Sequence, residues 1–163
     1  MRTIPDPGFA GDDGSASAEV TAALASYDAD PAAYPQAVAA LQDSRVLVPV
    51  VALLGEVEVD EHGHAHEKTS DMAAVLVTGR DGRTALLSFT STASLQAWNP
   101  EARPVPVPLS QAAASAVQDG ADALLVDLAG PVMLAVEGED LRALATGLRL
   151  QPVGDGWGWT QRM

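Results

Sequence analysis

The run Arg103-Pro104-Val105-Pro106-Val107-Pro108 constrains this chain more than any other stretch of its 163 residues. Each proline holds φ at about −65° and removes a backbone donor, so three in alternation exclude a helix. A central strand needs every N–H. The segment must therefore run extended, as an edge strand or a polyproline-like stretch.

A second extended segment is written in residues 46–51, where Val46, Leu47, Val48, Val50 and Val51 form a near-continuous β-branched run. That pattern suits a strand buried on both faces, with Pro49 requiring a bulge or an unpaired side. Residues 74–77 and 84–89 are apolar runs joined through Gly79-Arg80-Asp81-Gly82-Arg83, which predicts a β-hairpin. Strands follow at 123–126, at 132–136 and, shorter, at 148–150. Trp157 and Trp159 stand two apart among Gly154, Gly156 and Gly158, as either a flexible tail or a last strand with both indoles on one face.

Helices fall between these strands. Ser17 is placed to cap a first helix, with Val20, Leu24 and Tyr27 on one stripe. Asp30-Pro31 restarts the pattern for Tyr34, Val38 and Leu41, and Pro35 must lie in the first turn. Thr90 or Ser91 opens a short helix carrying Leu95 and Trp98, stopped at Asn99-Pro100. Ser110 is the expected cap of a helix to Gln118, and residues 140–145 form a last short helix ended by Gly147. Irregular alternation of strands and helices with a hairpin predicts a single α+β domain, a mixed β-sheet packed by short helices. Residues 1–15, rich in Gly, Asp and Pro, are expected as a disordered acidic tail ahead of the domain at 16–163.

Charge and composition exclude several functions. The net charge is −13 with nine Lys and Arg, too few to build a phosphate-neutralising face, so no nucleic acid partner is expected. Residues 1–71 carry 13 acidic and 3 basic side chains, which reads as an acidic face for a basic partner or as plain solubility. Cysteine is absent, which removes disulfides, thiolate metal sites and Cys nucleophiles. The opening residues have no cationic start or apolar run, and the apolar stretch at 46–54 is far short of the ~20 residues of a membrane span. The expected location is cytoplasmic, away from membranes.

No catalytic residues emerge. His62, His64 and His66 lie in one polar loop, 55–71, and no Gly-x-Ser-x-Gly elbow follows a strand. No phosphate-cradling loop is present and no cofactor is expected. At spacing two the three imidazoles can share one side of an extended segment and, with neighbouring carboxylates, hold zinc, nickel or copper. The same run also reads as a solvated loop. Asp127 opens an Asp-Leu-Ala-Gly-Pro turn at a strand end and reads as a ligand-facing carboxylate or as turn chemistry. Trp98, beside Asn99-Pro100 and the Pro-Val alternation, reads as part of a recognition groove or as packing over a sheet edge.

Taken as an ordered set, Val46 to Val51, Lys68-Thr69-Ser70-Asp71-Met72-Ala73-Ala74, Phe89-Thr90-Ser91, Ala97-Trp98-Asn99-Pro100, Arg103-Pro104 and Asp127-Leu128-Ala129-Gly130-Pro131 resemble the N-terminal domain of the SseB family, over roughly residues 36–150. The chain looks like a short, stand-alone actinobacterial version without the second domain of some members. The family name comes from a serine-sensitivity phenotype. The resemblance implies no established enzymatic activity and carries over no catalytic residues, and the type III secretion translocon protein of the same label is a separate matter. The expectation is a non-enzymatic cytoplasmic interaction module docking a protein partner through Trp98, Pro104, Asp127, Gly130 and Pro131. The alternative is a small-ligand or metal-binding regulator linked to amino-acid (serine) metabolism, with His62, His64 and His66 as its metal ligands.

Overall fold

The Ser17 side chain accepts a hydrogen bond from the Val20 amide at 3.1 Å and starts α1, Ala18–Ala29, whose Val20 and Leu24 are buried. Asp30 caps a 3-10 turn, Pro31–Ala33, that leads into α2, Tyr34–Gln42, with Pro35 in the first turn, where no intrahelical bond is lost. These caps are the ones the sequence predicts. The computed structural model describes residues 12–52, 57–59, 65–67 and 72–161.

The strands follow as β1 (Arg45–Ala52), β2 (Val57–Val59), β3 (Ala65–Glu67), β4 (Met72–Ala74), β5 (Leu76–Thr78) and β6 (Thr84–Ser88). After these come α3 (Thr92–Trp98), β7 (Arg103–Pro108), α4 (Leu109–Gln118), β8 (Ala123–Val126), β9 (Leu134–Glu137), α5 (Gly138–Ala145), β10 (Arg149–Val153) and β11 (Gly156–Thr160). One sheet has the order β4-β1-β7 and another β5-β6-β8-β9, in which β6 and β8 are parallel and the other pairs antiparallel. Leu47 and Phe89 exchange both backbone hydrogen bonds, at 2.7 and 2.8 Å, and so join the two sheets. This is the α+β domain with mixed sheets that the sequence predicts, and among the described residues no helix is long and apolar enough to cross a membrane.

The proline run is an edge strand. β7 pairs with β1 with Pro104 opposite Pro49 and Pro106 opposite Leu47, and β7 stands at the end of its sheet. Leu47 directs its N–H and C=O to Phe89, away from β7. In an antiparallel ladder such pairs alternate. Prolines 104, 106 and 108 therefore fall where β7 makes no bond to β1, while Val105 and Val107 hold the ladder. Pro49 falls on the side of β1 where pairing passes from Phe89 to β4, which is the unpaired position it needs.

Four local readings change. The strand expected at 74–77 is broken at Val75, whose carbonyl accepts from the Leu87 amide at 3.1 Å, so β4 serves β1 while β5 serves β6. Within the loop expected at 55–71, β2 and β3 form a hairpin that pairs Glu58 with His66. Ser110 does not cap α4: the helix opens directly from Pro108, whose extended backbone needs no side-chain bond. The strand expected at 132–136 begins only at Leu134, after the Gly130–Pro131 cis turn.

Two cores lie on opposite faces of the sheets. On one, Val38, Leu41, Val46, Leu86, Leu109, Ala113, Leu124, Val136 and Leu144 pack under α1, α2, α4 and α5. The β10–β11 hairpin closes its margin with Trp157 and Trp159 packed on that core, so the tryptophan pair belongs to a last strand. Asp140 ties this margin together, accepting from Tyr34 Oη at 3.0 Å and Trp159 Nε1 at 3.1 Å. The other core holds Leu47, Leu87, Phe89, Leu95 and Ala102, with Trp98 against it.

Candidate docking site

The second core is covered by a helix of seven residues, too short to persist on its own propensity. Polar bonds fasten it. Ser91 and Ser94 form a capping box at its start. Asp127, at the end of β8, accepts from the Thr90 amide at 2.8 Å, the Thr90 hydroxyl at 2.7 Å and the Ser94 hydroxyl at 2.9 Å. Because β6 and β8 run parallel, both strands end on the same side, and this brings Asp127 beside Thr90. Asp127 is 1% exposed and has φ 58°, a left-handed conformation that Asp tolerates better than most side chains. Burial pushes its carboxyl above the usual range, and the Thr90 and Ser94 donors pull the other way.

Residues 12–15, the last four of the expected tail, pack on the same side. Arg45, 6% exposed, donates to both Asp12 oxygens at 2.6 and 2.9 Å, to the Ser15 carbonyl at 2.8 Å and to the Thr90 carbonyl at 2.5 Å. Its guanidinium holds the Asp12 carboxyl below the usual range. The Thr92 amide donates to the Gly14 carbonyl at 2.7 Å. Asp13 accepts from the Ser15 hydroxyl and amide, which lower its pKa, and it stays exposed.

Between this segment and β7 lies an open cleft of about 420 Å³, lined by Asp12, Asp13, Gly14, Leu47, Thr92, Pro104 and Pro106. Pro104 is exposed, and Trp98 is half-buried with its ring stacked on Phe89 at 5.8 Å between centroids. Of the residues singled out in the sequence, Pro104 thus lines the cleft and Trp98 stands on the core beneath it. Asp127 points inward and works as a clamp. Gly130, at φ 91°, and the exposed Pro131 form the turn that follows, near Leu128 and Met133, both exposed. Asp127 fastens α3, whose Thr92 enters the cleft, while Trp98, Asp127, Gly130 and Pro131 do not line it.

His62 and His64 lie outside the described residues, and His66 is described by its backbone in β3. Among the described residues, no group of three or more His, Asp or Glu side chains is placed to hold a metal. Sequence reasoning missed Asp13, Arg45, Thr90 and Ser94 as partners in this site. The Ser91–Ser94 spacing of a capping box was the one local signal for it.

The family model for the SseB protein N-terminal domain matches residues 19–143, from α1 into α5. No curated protein and no solved structure matches the chain.

Proposed function

We propose, from the premise that the chain belongs to the SseB N-terminal domain family, that it is a non-enzymatic, cytoplasmic protein-interaction module. The observation that carries this reading is the exposed Pro104, which with Pro106 and Leu47 lines an open cleft. A depression lined by Leu47, Pro104 and Pro106 on an ordered edge is a surface on which a partner can bury apolar area without the domain rearranging. The edge itself is unsuited to strand addition, since Pro104, Pro106 and Pro108 offer no N–H. A partner therefore docks through side chains.

The test is an affinity capture with light crosslinking, run with the wild type and with Pro104→Asp, a substitution at an exposed position. The reading expects one stoichiometric partner that the wild type retains and the folded variant loses. Equal capture by both, or capture by neither, contradicts it. The cleft also favours a second reading, a small-ligand regulator, because its volume falls in the range of small-molecule sites. A thermal-shift screen against amino acids including serine separates the two.

A further inference from the structure

The cleft has a floor and a rim of different chemistry. Pro104 and Pro106 share a sheet face with Leu47, as cross-strand partners and same-parity neighbours must, so the floor is apolar. The rim offers acceptors. The ladder register turns the Pro104 and Pro106 carbonyls outward from β1, and β7 has no second neighbouring strand among the described residues. On the facing wall Arg45 compensates the charge of Asp12. Among the described residues Asp13 has no such cation, and the two bonds that it accepts from Ser15 both fall on Oδ1, which leaves Oδ2 for another donor.

An apolar floor with a rim rich in acceptors and bearing an unneutralised carboxylate matches a long methylene stem ending in a cationic donor. We infer that this cleft takes an arginine or lysine side chain from a basic segment of a partner protein, its stem over Pro104, Pro106 and Leu47 and its head on Asp13. This rests on the interaction-module reading and names the chemistry of the partner. The net charge of −13 draws such a segment in, while the cleft selects its side chain. Asp13 lies ahead of the stretch matched by the family model.

The test uses the intact protein and a short fluorescent peptide of alternating arginine and alanine, followed by anisotropy at physiological salt. A second peptide carries citrulline, neutral and of nearly the same shape, in place of arginine. The arginine peptide should bind and the citrulline peptide should not. Asp13→Asn should weaken binding on the order of tenfold, as expected for one charge-assisted contact. Asp119→Asn, which removes the same charge from an exposed position after α4, should leave binding unchanged. Pro104→Val with Pro106→Val, which alters no charge, should weaken it severalfold. Equal binding of the two peptides, or equal effects of the two aspartate variants, overturns the inference. If the peptide fails while a captured partner still depends on Pro104, the inference falls and the broader reading stands.

Discussion

On one side of the sheets, α2, α4 and α5 lay Leu41, Ala113, Leu141 and Leu144 over β1, β6, β8 and β9. On the other, α3 sets Leu95 and Trp98 on Leu47, Leu87 and Phe89. The first side is held by apolar area, which is non-directional and spread over many residues. The second has little area to give, and its helix is fixed by directional bonds from Asp127, Ser91 and the Gly14 carbonyl. A short helix with polar anchors covers this side while leaving Pro104 and the cleft open. On the proposed function, the aliphatic side is scaffold and the α3 side the working face.

The largest expected effect breaks the scaffold. Leu124→Ala, at a fully buried position of β8, should cost about 3–4 kcal/mol and lower stability across the whole domain, read as a shifted urea midpoint. Asp127→Ala comes next. It strands the buried Thr90 amide and two hydroxyls and leaves Ala at positive φ, at a cost of about 2–3 kcal/mol. Asp127→Asn should cost about 1 kcal/mol or less, because the amide can still accept from Thr90 and Asn tolerates the left-handed backbone. If Ala and Asn prove equal, the clamp is not hydrogen-bonded as described.

The pH dependence sharpens the comparison. Arg45 lowers the folded pKa of Asp12, so its contribution is present above the ordinary carboxyl range and is lost as pH falls through the lowered value. Burial raises Asp127, so its ionisation opposes folding, and its contribution fades as pH rises through the raised value. Urea midpoints between about pH 3 and 6 should therefore rise less steeply in Asp12→Asn than in the wild type. They should rise more steeply in Asp127→Asn. Smallest of all, Pro104→Ala should change stability by less than about 0.5 kcal/mol, as exposed positions do.

The scaffold was legible in the sequence because its signals are local and periodic. Val20 and Leu24, Val38 and Leu41, and the valines of β1 announce their buried faces by spacing alone. The prolines of β7 announced an edge strand or a polyproline-like stretch, since three in alternation leave one side of a strand without donors. The site was only half legible. Pro104 and Trp98 stood out by the Pro-Val alternation and the Trp-Asn-Pro stop, whereas Asp127 read as a ligand-facing carboxylate or as turn chemistry because its donors, Thr90 and Ser94, lie more than thirty residues away in sequence. The parallel pairing of β6 with β8 brings them together, and parallel pairing leaves no turn signature between the strands. Arg45 and Asp12 were unreadable for the same reason: an acidic residue in a Gly-rich segment gives no hint of a buried guanidinium beyond it.

Native-state hydrogen exchange measures the central difference most directly. The amides of Leu95 in α3 and of its C-cap Asn99 should exchange through a local opening at lower free energy than those of β8 and α4, and Asp127→Asn should lower that local value. Exchange of α3 only through global unfolding, at the same free energy as β8, would contradict the division into scaffold and working face.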